Sequence, residues 1–118
     1  MEKRIERRLY ERKPLRTRCH LKIIAGGTFP GYTRDIGLHG VFMESSSFSV
    51  EKHKPPKAGD TGVLTLYDNV PGTDVYLKLP CQIAHARSSG IGLNVRYMDL
   101  TKKDKEIFES ILDHAVTL

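Results

Sequence analysis

Two short segments of this 118-residue chain carry side chains whose types and spacing suit the capture of a flat anion. The first is Arg7-Arg8-Leu9-Tyr10-Glu11-Arg12, just ahead of Pro14. An arginine fork donates two parallel charge-assisted bonds to a phosphate, and its planar face stacks on aromatic rings. A nucleotide, which joins phosphate to a flat heterocycle, draws on both abilities. The second segment is Arg34-Asp35-Ile36-Gly37-Leu38-His39-Gly40. A carboxylate accepts two N–H bonds, which matches the N1–H and N2–H₂ edge of guanine. Gly37 and Gly40 let the backbone approach a ligand closely or take a positive φ. Taken singly, an arginine run is a solvated tail and a D-x-G segment is a turn.

Other chemistry finds no support in the sequence. There is no G-x-x-x-x-G-K-[ST], no G-x-S-x-G and no H-E-x-x-H, which removes the common phosphate-loop, serine-hydrolase and zinc-protease readings. His20, His39, His53, His85 and His114 are scattered, and none pairs with another histidine or a cysteine at ligand spacing. Cys19 and Cys81 are too few to staple the domain and lack C-x-x-C spacing, so both read as reduced, small core side chains. No nucleophile and base constellation is visible, and the expectation is a binding protein rather than an enzyme.

Charge is concentrated where the first segment lies. Residues 1–22 hold nine lysines and arginines against three acids, whereas the rest holds ten against eleven. The positive surplus is thus an arm on a balanced body, unlike the spread of basic residues over several elements that a nucleic-acid coat needs. A small-barrel binder of single-stranded RNA is the competing reading of that arm, but such barrels display aromatic rings on one face, and the four Phe and five Tyr here are dispersed along the chain. No apolar run approaches the roughly 20 residues that cross a bilayer, and the N-terminus lacks the apolar core of a signal peptide. The expectation is a soluble, cytoplasmic protein.

The elements that must position these side chains are strands. Leu15, Thr17, Cys19, Leu21 and Ile23 alternate with polar residues until Ala25-Gly26-Gly27, the period of a strand with one buried face. A second run spans Tyr32 to Asp35, and after Gly37 and Gly40 the apolar Val41, Phe42 and Met43 resume. Ser45 to Gly59 reads as an exposed loop, Val63 to Tyr67 as a strand, and Asp68 to Gly72 as a turn. Val75 to Ile83 alternates again, with Pro80 placing that strand at an edge or at a bulge. Ile91 to Tyr97 is a last strand. Short strands at turn-marked intervals predict an antiparallel sheet closed into a small barrel. From Thr101, an N-cap with Asp104 three residues on, the period becomes helical, and Ile107, Phe108, Ile111, Leu112 and Ala115 share one face. That stripe suits a lid on the barrel, or a contact with a second chain. Pro14 biases Lys13 toward extended backbone, so the arginine segment does not continue a helix and approaches the barrel as a flexible arm.

The two segments, in this order and ahead of this barrel and helix, resemble the PilZ domain family, whose members bind the bacterial second messenger cyclic di-GMP. The family motif R-x-x-x-R is matched by Arg8-Leu9-Tyr10-Glu11-Arg12, with Arg7 as the preceding arginine many members carry. Its motif [D/N]-x-S-x-x-G is matched by Asp35 and Gly40, and Gly90 to Leu100 is similar to the family's last strand leading into a helix. The resemblance implies an all-β fold with a C-terminal helix, a six-stranded antiparallel β-barrel of the PilZ split-barrel type. Residues 1–14 would form the flexible basic arm and residues 15–118 the barrel and helix. It implies a ligand site of Arg7, Arg8, Arg12, Asp35, Gly37, Gly40 and His85, the last where family members pack a side chain against a guanine. The arm would close on cyclic di-GMP, often an intercalated dimer, and its ordering would change the surface offered to an effector protein. No cofactor, metal, nucleic-acid polymer or membrane is expected, and the chain would act as a monomer or homodimer, with outputs across the family in motility, exopolysaccharide synthesis and biofilm. One departure is Gly37, where the motif has serine. The absent hydroxyl removes one hydrogen bond, about 1 kcal/mol or about fivefold in affinity. Members with degraded motifs act as protein adaptors without a nucleotide, which is the alternative reading.

Overall fold

Alternation along the chain builds the first long strand. In β2 (Arg18–Ile23), Cys19, Leu21 and Ile23 are buried while Arg18 and Lys22 face solvent. The computed structural model describes residues 12–45, 57–67, 76–87 and 90–114. Arg7 and Arg8 lie outside them, as do most of the loop expected at Ser45–Gly59 and the turn expected at Asp68–Gly72. The remaining strands are β1 (Lys13–Pro14), β3 (Thr28–Ile36), β4 (Gly40–Glu44), β5 (Thr61–Tyr67), β6 (Tyr76–Arg87) and β7 (Gly90–Val95). A 3₁₀ turn over Tyr97–Asp99 leads to the helix α1 (Lys102–His114).

All pairings are antiparallel, in the order β3-β2-β5-β6-β7-β4, and a further β3–β4 pairing joins the ends. The result is the expected six-stranded barrel with one C-terminal helix. Closure leaves no long sheet edge to be covered. The two-residue β1 adds to the far end of β3, where Lys13 pairs with Ile36 and Pro14 with Asp35.

Three local expectations are corrected. The first strand enters the ladder at Arg18 rather than Leu15 because the Thr33 hydroxyl interrupts the pairing of residues 15–17, which keep only the bonds from Leu15 N–H to the Arg34 carbonyl at 3.2 Å and from Thr33 N–H to the Thr17 carbonyl at 2.9 Å. Thr33, itself buried, donates to the Leu15 carbonyl at 2.5 Å and accepts from the Thr17 N–H at 3.0 Å. The second strand starts at Thr28, four residues before the expected run. Pro30 is tolerated because its carbonyl points beyond the end of β4 and accepts the Ser45 hydroxyl at 2.6 Å, so its missing N–H costs no ladder bond. Pro80, finally, is at neither an edge nor a bulge. It pairs with Val63 in β5, and β7 lies on the other side. Its carbonyl accepts the Arg96 N–H at 2.8 Å, and the Arg96 carbonyl, which a residue with an N–H at position 80 would have met, accepts Asp99 N–H at 3.0 Å instead. The last strand therefore stops at Val95, not Tyr97, and turns where proline has nothing to give.

The barrel interior is filled by Leu21, Phe29, Ile36, Val41, Met43, Leu64, Leu79, Ile91 and Leu93. Helix α1 starts at the expected cap, with the Asp104 N–H donating to Thr101 Oγ at 3.1 Å. Its Phe108 and Leu112 are buried in the same core, with Ile107 and Ile111 packed beside them. The stripe is a lid, and α1 rests on β6. Cys19 and Cys81 are buried, and desolvation pushes their thiols up to about 12 and about 11, the state of inert core side chains. No helix among the described residues is long and apolar enough to cross a membrane.

Candidate functional site

The Gly37–Gly40 turn sets the site. Gly37 N–H donates to the Gly40 carbonyl at 2.8 Å and Gly40 N–H returns to the Gly37 carbonyl at 3.4 Å, while Leu38 plugs into the core. This folds β4 back along β3. A register shift between Thr33 and Asp35 brings Asp35 opposite Phe42, and the bulge turns the Asp35 carboxylate outward.

Arg12 meets that carboxylate. Its Nη1 lies 3.5 Å from Asp35 Oδ1, with the two side chains 45% and 30% exposed. The guanidinium passes directly over Gly40, where a Cβ would stand 2.6 Å from Arg12 Nη2. Gly40 is thus needed for close approach; neither it nor Gly37 has a positive φ. Of the sequence-predicted residues, Arg12, Asp35 and Gly40 are in contact and Gly37 closes their turn. Arg7 and Arg8 fall outside the described residues.

His85 joins them through sheet register. Asp35 pairs with Phe42, Phe42 with Gly92, and Gly92 with His85. These four residues form one transverse row across β3, β4, β7 and β6, about 14 Å long at ~4.8 Å per strand. Phe42 and His85 face each other across the glycine, ring centroids 6.0 Å apart and planes at 38°. The imidazole covers Gly92, where a Cβ would lie 2.4 Å from His85 Nε2. The Arg34 guanidinium sits over Phe42, 5.6 Å from the ring centroid. Sequence reading missed Phe42 and Gly92, and it named Arg34 within the second segment without giving it a role. A signal existed for Phe42, since strand alternation puts it outward between the buried Val41 and Met43, but nothing local predicts which strands flank it.

Two polar atoms at the ends of this row are buried without a hydrogen-bond partner among the described residues: Asp35 Oδ1 and His85 Nδ1. The described residues contain no cluster of His, Cys, Asp or Glu arranged for a metal. The site offers a fork of donors, a carboxylate acceptor, two ring faces and a floor with no side chain.

A search of curated proteins finds no match to the chain. Among solved structures, the fold is similar to the PilZ domain of CeSA from a cellulose-synthesizing bacterium, with a TM-score of 0.61 and 14% identity over 86% of this chain and 93% of that one. It is also similar to the Bacillus subtilis inhibitor of motility MotI/DgrA, with a TM-score of 0.64 and 8% identity over 88% of this chain and 48% of that chain. This chain spans about half the length of MotI, and at these identities the likeness is one of fold. The model of the PilZ domain family matches residues 6–114, and with nearly the whole sequence, the closed barrel and the terminal helix in agreement, the chain belongs to the PilZ domain family.

Proposed function

We propose that this protein is a receptor for cyclic di-GMP, the general role of PilZ domains being that of nucleotide receptor or adaptor rather than enzyme. The observation that carries the reading is the row from Asp35 to His85 with Arg12 poised over Gly40. On binding, the Arg12 fork leaves Asp35 for a phosphate, and the Asp35 carboxylate takes the N1–H and N2–H₂ edge of a guanine. The exchange replaces a weak, half-exposed ion pair by two charge-assisted contacts. The Phe42 and His85 rings supply stacking faces, and Gly92 keeps the floor between them open. Arg7 and Arg8 bring further charge from the arm. Because β1 carries Lys13 directly after Arg12, movement of the arm alters the surface beside the barrel, which a partner protein reads; MotI, which shares the fold, is an inhibitor of motility.

Titration calorimetry with cyclic di-GMP tests the reading. The expected result is binding at micromolar concentration that weakens at least tenfold in Arg12→Ala and in Asp35→Ala. Absence of heat, or unchanged affinity in both variants, refutes it.

Gly37 favours a second reading, an adaptor that engages its partner without the nucleotide. The turn closes through paired backbone bonds between Gly37 and Gly40, which need no side chain at position 37, so a serine hydroxyl there would be available to a ligand. A Gly37→Ser variant that gains about fivefold in affinity identifies a tuned receptor; a variant as silent toward the nucleotide as the parent identifies the adaptor.

A further inference from the structure

The outer wall carries a second row that the nucleotide reading does not use. It shares β3 and β4 with the first row and runs around the barrel in the other direction. Glu44 pairs with Tyr32, and Tyr32 with Arg18; Tyr67 follows on β5. Together with Arg16 and His20 these residues line an open groove of about 810 Å³, within the range of ligand-binding clefts. The tyrosines that sequence alone leaves dispersed are brought together here.

Each arginine is held on a ring. The Arg16 guanidinium lies 4.4 Å from the centroid of Tyr32 and that of Arg18 lies 4.9 Å from the centroid of Tyr67. Tyr67 is itself fixed by a 2.5 Å contact between its hydroxyl and His20 Nδ1, and its carbonyl accepts the Thr17 hydroxyl at 2.6 Å. Among the described residues neither Arg16, Arg18 nor Glu44 forms an ion pair, and Tyr32 is 43% exposed. Arginines stacked in this way lose little freedom on pairing and are weakly hydrated. Arginine and tyrosine are also the residue types that carry binding energy at protein interfaces.

The geometry points to a docking groove for an acidic, extended segment of a partner protein, one with carboxylates at alternate positions. Arg16 and Arg18 are two residues apart, at most about 7 Å along the chain, the spacing that alternate side chains of an extended peptide also have. Each tyrosine already has a guanidinium on a ring face, which leaves poor stacking platforms for nucleobases, and Glu44 at one end of the row directs the acidic side chains of the segment toward Arg16 and Arg18. The inference stands independently of the cyclic di-GMP reading.

Fluorescence anisotropy with a labelled nonapeptide carrying glutamate at alternate positions, and with its glutamine counterpart, tests it. The glutamate peptide is expected to bind saturably below millimolar concentration and to weaken about fivefold in Arg16→Ala or Arg18→Ala. Arg18→Lys, which keeps the charge and loses the fork, falls between. Amide shifts on titration are expected at Arg18, Tyr32 and Glu44 and not at Gly40 or Gly92, and the response to cyclic di-GMP is expected to be the same in Arg16→Ala as in the parent. Equal binding of the two peptides, binding indifferent to both arginine variants, or an oligothymidylate that occupies the same residues more tightly than the peptide overturns the proposal.

Discussion

At Asp35 two demands compete, and the Arg12 contact meets neither fully. The carboxylate lies 3.5 Å from Arg12, yet its Oδ1 has no hydrogen-bond partner among the described residues. A pair this exposed contributes well under 1 kcal/mol. Asp35→Ala is therefore expected to leave the denaturant midpoint nearly unchanged while removing nucleotide affinity, a separation that urea titration and calorimetry on one preparation will show. Gly92 offers the complementary test from the floor of the row. An alanine there places a methyl 2.4 Å from His85 Nε2. Because the obstructing atoms belong to a side chain, the imidazole swings aside and stability falls by only about 1 kcal/mol. The ring face leaves the site with it, and nucleotide affinity is expected to fall about tenfold in Gly92→Ala.

At the scale of elements, the join between β1 and α1 is the feature with the largest consequence. Lys13 is 4% exposed, and its ammonium donates to the Leu112 carbonyl at 3.2 Å. The last carbonyls of a helix lack intrahelical donors and carry partial negative charge, so a cation there is doubly favoured. Lys13→Ala is expected to cost about 2 kcal/mol and to speed amide exchange in the last turn of α1 before the rest of the barrel, as read by hydrogen exchange. The cysteine strands supply a second prediction. In β2 and β6 burial pushes the Cys19 and Cys81 thiols from 9.0 to about 12 and about 11. The unfolded thiols ionise first, so the stabilisation is complete below pH 9 and declines as the pH rises toward 11. The slope is about 1.4 kcal/mol per pH unit for each thiol. Replacing both by alanine should flatten that part of the stability profile.

Across the whole molecule, ligand binding to the folded state alone must raise its melting temperature. Cyclic di-GMP at 100 times its dissociation constant adds about 2.7 kcal/mol, which for a domain of this size corresponds to roughly 10 °C. A scan with and without the nucleotide checks it, and Asp35→Ala should abolish the shift. The period-2 alternation of Cys19, Leu21 and Ile23 and the helical stripe of Phe108 and Leu112 were readable in one dimension because each depends only on which side of a local element is buried. Arg12, Asp35 and Gly40 were singled out by the family motifs they match, but their meeting belongs to the folded chain. Sequence alone thus determined the six barrel strands, the terminal helix and the barrel class. Only tertiary structure decided the row that sets Phe42 and Gly92 between Asp35 and His85, the sharing of Lys13 with α1, the harmless place of Pro80, and the gathering of Tyr32 and Tyr67 around Arg18. Each of these is a matter of register between strands distant in the chain, and register follows from how the barrel closes and not from any local periodicity.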